Sequence, residues 1–200
     1  LADVLPGVRR DLEDLVRIES VSADPARASE VQRSAEAVAD LLRGVGCTDV
    51  EIVSAHADGL APAVLGHKAG PPGAPTVLLY AHHDVQPEND HAEWDSAPFE
   101  PTEREDGRGG VRLFARGAAD DKAGIVAHLG ALRILGDDLP VNVTFFIEGE
   151  EEMGSESLPA LLATYKDRLA AGVIVIADSG NWDIGVPPLT TSPIGVVLPD

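Results

Sequence analysis

Positive charge is what this chain has least of. Its 15 lysines and arginines stand against 34 aspartates and glutamates, a formal charge of -19 at neutral pH. That balance argues against a nucleic-acid partner, because phosphate binding needs Lys and Arg in excess. An anionic membrane surface is disfavoured for the same reason. Long apolar runs are also missing, so no stretch of the sequence reads as a membrane-spanning helix. Cysteine is reduced to Cys47 alone, which rules out an internal disulfide and a thiolate zinc cluster and fits a reducing cytoplasm. Aromatics make up only 4% of the residues, yet the hydrophobic content of 44% is ordinary for a folded domain. The opening stretch LADVLPGVRRDLEDLVRIES carries charges throughout and does not read as a signal peptide. Because the chain starts without Met and stops at SPIGVVLPD, it reads as a portion of a longer natural chain.

Strand and helix signals alternate along the sequence. Val8, Leu12, Leu15, Val16 and Ile18 fall at helical spacing over 8–18, and Val31, Ala35, Val38, Leu41 and Leu42 do so over 27–45, with Gly46 as a stop. Short strands are expected over 50–53 and 61–67, then a turn at GPPGAP and a strong strand TVLLY over 76–80. Further strands are expected over 110–116, 141–147 and 172–177, and helices over 120–135 and 155–170. This order predicts an α/β domain with a mostly parallel sheet flanked by helices. Residues 1–182 form the expected domain; 183–200, rich in Pro, Gly and Thr, reads as an exit segment or edge strand. His56, His67, His91 and His128 read as surface or packing residues.

Chemistry-bearing residues gather at the ends of these strands. His82, His83 and Asp84 follow TVLLY, Asp120 follows VRLFARG, Glu148 to Glu152 follow VNVTFFI, and Asp178 follows GVIVIA. Taken alone, EGEEEMGSE is a solvated acidic loop and Asp120 a helix N-cap. Four such strand ends together point elsewhere, because open α/β sheets build their ligand sites at the C-terminal edge of the strands. The residue types suit a pair of divalent ions. Asp120 bridges the two, His82 and Asp178 serve one, and a glutamate serves the other. Adjacent Glu151 and Glu152 diverge, so one binds metal while the other holds a water as general base. Asp84 orients His82 through its far ring nitrogen.

The motifs YAHHDVQP, ARGAADDKAG, FFIEGEEEMGSES and VIADS, in this order, resemble the co-catalytic zinc metallopeptidase family. That family contains carnosine-type dipeptidases, aminoacylase, glutamate carboxypeptidase, acetylornithine deacetylase and succinyl-diaminopimelate desuccinylase. HDVQP and EWDSAPFEP are most similar to its dipeptidase branch, and the likeness spans roughly 5–192. The resemblance implies a zinc-peptidase (phosphorylase/hydrolase-like) catalytic domain. It makes His82 and Asp178 ligands of one zinc, Asp120 the bridging ligand, Glu152 a ligand of the second zinc and Glu151 the general base. Asp84 matches the orienting aspartate, His83 falls at a variable position, and the Asp120–Asp121 peptide is expected to be cis.

Departures from the pattern shape the remaining expectations. Ala81 and Ala115 stand where dipeptidases often carry Gly. Family members are about twice as long, insert a lid domain that usually dimerises, and then supply a last zinc-ligating His; TTSPIGVVLPD stops before that lid. The expected function is hydrolysis of dipeptides or similar N-acyl amino acids with two zinc ions, manganese or cobalt being alternatives. The competing class is a non-catalytic metal-binding or interaction remnant of the family. A calcium-binding surface is disfavoured because no D-x-D-x-D-G loop is present.

Overall fold

The computed structural model describes residues 1–180 together with Asp183 and Val186. The expected exit segment, 183–200, therefore lies outside the described residues, except for those two, which form an isolated antiparallel bridge.

Apolar spacing sets the helices. Helix α1 (Leu5–Val16) has Pro in its first turn, where no backbone N–H partner is needed, and buries Leu15 and Val16 at its end. Helix α2 (Ala28–Gly44) buries Val31, Ala35, Val38, Ala39 and Leu42, which form one stripe at spacings of three and four. Just past it, Gly46 takes φ 84°, the left-handed conformation that ends a helix at little cost. Helix α3 (Lys122–Leu135) is capped by Asp121, whose carboxylate accepts from Gly124 N, and stops at Gly136. The cap therefore falls on Asp121 rather than Asp120, which leaves the Asp120 side chain free for other work.

The main sheet has five strands: β1 (Thr48–Val53), β2 (Ala63–Lys68), β3 (Thr76–His82), then, beyond the small hairpin of β4 (Thr102–Glu105) and β5 (Val111–Phe114), β6 (Asn142–Glu148) and β7 (Val173–Ile176). Their order is β1-β2-β6-β3-β7. The α/β class holds, with a mixed sheet. The β3–β6 and β3–β7 pairs are parallel; β1–β2 and β2–β6 are antiparallel. Parallel pairing needs a crossover, which α3 supplies between β3 and β6, and α4 (Leu158–Thr164) with α5 (Lys166–Leu169) between β6 and β7. No helix lies between β1 and β2, so the chain turns straight back. The helix expected over 155–170 is thus two short ones, interrupted at Tyr165.

One strand is corrected. The segment read from 110–116 as part of the series pairs only with β4, in a two-stranded hairpin outside the main sheet. Its residues are mostly exposed, which a sheet-core strand would not tolerate. Asp120 consequently reaches the site from the N-terminus of α3, not from a main-sheet strand.

Strand alternation sorts the core into two faces. Phe145 packs with Leu15, Val38, Leu42 and Leu129 beneath α1, α2 and α3. Its neighbour Phe146 packs with Leu78, Leu161 and Leu169 beneath α4 and α5. His128 is buried on α3, where its Nε2 lies 3.0 Å from Tyr80 O, in keeping with a packing role. Strand β7 is exposed along its whole length. No helix among the described residues is long and apolar enough to cross a membrane.

Candidate metal centre

Register places the site. In the parallel β3–β6 pair His82 lies opposite Glu148, so the turn carrying Glu150, Glu151 and Glu152 begins beside His82. In the β3–β7 pair Tyr80 lies opposite Ile176, which brings Asp178 level with His82 two residues further on. The cis Asp120–Asp121 peptide stands at the entrance to α3. Three parallel strand ends and one helix entrance therefore surround a single imidazole.

The distances are short. His82 Nε2 lies 3.0 Å from Asp120 Oδ1, and 3.8 Å from both Glu151 Oε2 and Asp178 Oδ2. Ligand atoms of His82, Asp120 and Glu152 all fall within 4.8 Å of one another, as do those of His82, Asp121 and Asp178. Asp121 is the newcomer in this set. Its carboxylate is buried and already accepts from His82 N and Gly124 N. The Asp120 side chain, by contrast, is 65% exposed and faces the imidazole.

Asp84 is the hub beneath them. Its buried carboxylate lies 3.3 Å from His82 Nδ1 and accepts from Glu151 N at 3.2 Å, Glu152 N at 3.1 Å and Ser22 Oγ at 2.6 Å. His82 Nδ1 is also 3.1 Å from the Asp84 carbonyl oxygen. Burial alone would raise the Asp84 carboxyl, but the hydrogen bonds from His82 and Ser22 hold it below its ordinary value.

Charge is unbalanced around this hub. Burial would lower His82, yet the Asp84 hydrogen bond and the charges of Asp84, Asp121 and Asp178 push it up to about 10. Asp121 is raised to about 7, chiefly by burial, with Asp178 adding to the shift and His82 opposing it. Glu151 and Glu152 are raised by burial first and then by neighbouring carboxylates. The site holds more negative charge than one imidazolium can balance, the condition a divalent cation relieves. Imidazole with carboxylates is a donor set that suits zinc, manganese or cobalt. His82 directs only Nε2 into the cluster, since Nδ1 faces Asp84, so the described residues offer imidazole to one ion.

Several contacts around the site had no signal in the sequence. Gln86 donates to Glu152 Oε2 at 2.6 Å. Buried Glu150 accepts from Ser157 N at 2.8 Å and sits 3.3 Å from His56 Nε2, so His56 braces the acidic turn from the β1–β2 connection. Tyr80 OH donates to Glu148 Oε2 at 2.8 Å. His83 is fully buried, its Nε2 2.7 Å from Pro62 O, and desolvation lowers it to about 4. Apart from Glu150 and Ser157, these partners lie 21 to 94 residues apart in sequence, and spacing alone cannot find them.

Residues 78–191 match Peptidase family M20/M25/M40. The chain belongs to this family. It is 35% identical over 187 residues to the cysteinylglycine-S-conjugate dipeptidase of Corynebacterium striatum, a match covering 91% of this chain and 39% of that protein. It is 36% identical over 182 residues to the Beta-Ala-His dipeptidase of Homo sapiens, covering 85% and 35% respectively. Among solved structures, human carnosine dipeptidase 1 superposes with a TM-score of 0.75 at 34% identity, over 88% of this chain and 39% of that one. The di-peptidase Dug1p of Saccharomyces cerevisiae gives 0.76 at 27% identity, over 90% and 40%. The M20/M25/M40 chain described here thus spans about two fifths of the length of the curated relatives it matches. Both the family and the dipeptidase likeness expected from the motifs are borne out.

Proposed function

We propose that the protein is a metal-dependent hydrolase that cleaves the amide bond of dipeptides or similar N-acyl amino acids. The observation that carries this reading is the convergence of His82, Asp120, Glu152 and Asp178 on one acidic strand-end cluster, with Glu151 beside it. His82, Asp120 and Asp178 hold one zinc in this reading, and Asp120 and Glu152 contribute to a second. Asp121 keeps a structural role, because its oxygens are committed to backbone donors. Zinc bound there would supply Lewis-acid polarisation of the amide carbonyl and lower the pKa of water.

The chain's own residues do the rest. Glu151 accepts the proton of the attacking water and returns it to the departing amine. Its raised carboxyl brings it closer to the operating pH, as a general base requires. Asp84 keeps Nε2 of His82 aimed at the cluster by occupying Nδ1. With one imidazole available, the second ion is held more weakly than the first unless another segment supplies a ligand. The partners in this reading are small peptides or N-acyl amino acids. Residues 1–182 serve as the catalytic portion, the natural form is a cytoplasmic protein, and the complete form dimerises through a lid.

Turnover of a panel of dipeptides and N-acyl amino acids tests this, after chelation and then with zinc, manganese or cobalt restored. Metal-dependent release of free amino acid is expected. Metal uptake without turnover of any member would favour a metal-binding remnant instead.

A further inference from the structure

The connection between α1 and α2 is fastened to the His82–Val85 turn at several points. Ser20 Oγ donates to His83 O at 2.7 Å, and Val85 N donates to Ser20 O at 3.0 Å. Val21 and Val85 form an isolated parallel bridge. All of these hold backbone. The half-buried Ser22 does something different, because its hydroxyl reaches the Asp84 carboxylate at 2.6 Å, the shortest of the contacts to that group.

Asp84 touches both halves of the centre. Its Oδ1 faces His82 Nδ1 and Glu151 N, while its Oδ2 faces Glu152 N and Ser22 Oγ. A carboxylate on a short stem turns readily about its last bond, where the torsional wells are broad. What fixes the plane of this one is the set of donors around it. Ser22 is the member of that set that belongs neither to the β3 end nor to the acidic turn. Without it, Oδ2 retains a single donor at 3.1 Å, and that donor sits on the turn the carboxylate has to hold.

We propose that Ser22 is a positioning residue, which locks the Asp84 carboxylate and through it sets both the His82 imidazole and the Glu151–Glu152 turn for metal. This rests on the metal reading given above. The mechanism is a relay of geometry: hydroxyl to carboxylate, carboxylate to imidazole on one oxygen and to two backbone N–H groups across both.

The test is calorimetric titration of the metal-free protein with zinc, for the wild type, Ser22→Ala, Ser22→Thr and Ser20→Ala. The visible spectrum of each protein loaded with Co²⁺ and each melting temperature accompany it. Ser22→Ala should weaken the tightest zinc site by about 10-fold, the low end of the loss when a direct partner of a metal ligand is removed, because Ser22 stands one step behind Asp84; it should also alter the cobalt spectrum. Ser22→Thr keeps the hydroxyl and should recover most of the affinity. Ser20→Ala removes a comparable bond to backbone, so it should lower the melting temperature while leaving zinc affinity and spectrum unchanged. Unchanged affinity and spectrum in Ser22→Ala would overturn the proposal. So would equal zinc losses in Ser22→Ala and Ser20→Ala, which would mean that only the integrity of the connection matters. If the wild type takes up no zinc, the metal reading itself fails and this inference falls with it.

Discussion

Replacing Lys122 with methionine should change how stability responds to pH. Lys122 is among the largest fully buried side chains of the described residues, and its Nζ donates to Leu15 O at 2.9 Å and Ile18 O at 2.8 Å. Burial lowers its ammonium from 10.5 to about 7. Between those values the unfolded chain binds a proton that the folded chain has lost, so this group makes stability rise with pH. At about 1.4 kcal/mol per pH unit, the rise amounts to at most roughly 5 kcal/mol. His82 does the reverse. Its folded value of about 10 lies above the ordinary 6.5, so its contribution is full below 6.5 and is lost as pH rises through about 10. The two slopes oppose each other across the same window, and the metal-free wild type should be nearly flat up to about pH 9, where the buried Cys47 thiol begins to add a fall. Lys122→Met keeps the apolar stem, and neither carbonyl is orphaned, because Leu15 O also accepts from Ile18 N and Ile18 O from Ser20 N. The variant is left with the falling contribution of His82, joined above about pH 9 by the Cys47 thiol, which burial raises from 9.0 to about 11. Urea unfolding of the metal-free protein at about pH 7, 8.5 and 10 reads this directly. Stability of the variant should fall by several kcal/mol relative to wild type across that range. A wild-type-minus-variant difference independent of pH would refute the argument and mean that Nζ stays charged in its buried site.

Three further outcomes follow from the site. Glu151→Gln should lower turnover by about 10²- to 10⁴-fold, as loss of a general base does, while the bound metal measured by mass spectrometry stays the same; loss of one metal equivalent would mean that Glu151 and Glu152 have exchanged roles. Zinc uptake near neutral pH should release about one proton from His82, whose imidazole is charged below about 10, and calorimetry in buffers of different ionisation enthalpy counts it. Gly149→Ala should destabilise by about 1–3 kcal/mol in thermal melts, since an added Cβ would lie 2.4 Å from Pro62 O and 2.7 Å from His83 Nε2.

The sequence by itself determined the α/β class, the helices with strong apolar stripes, and the strand-end positions of His82, Glu151, Glu152 and Asp178. Those features depend on local periodicity and on motifs that are contiguous in the chain, so they can be read without knowing which strands pair. Asp120 comes to the cluster from the N-terminus of α3 and not from a main-sheet strand end, because β5 leaves the main sheet to pair with β4. Tertiary structure alone decided the rest. The antiparallel half of the sheet depends on β2 lying beside β6, a pairing between segments far apart in the chain. The cap passed to Asp121 because its carboxylate, not that of Asp120, faces Gly124 N. Ser22, Gln86 and His56 were invisible for the same reason: a hydroxyl, an amide and an imidazole on connecting segments carry no periodic signal. They acquire a role only when folding brings them against Asp84, Glu152 and Glu150, which stand 62, 66 and 94 residues away in the chain.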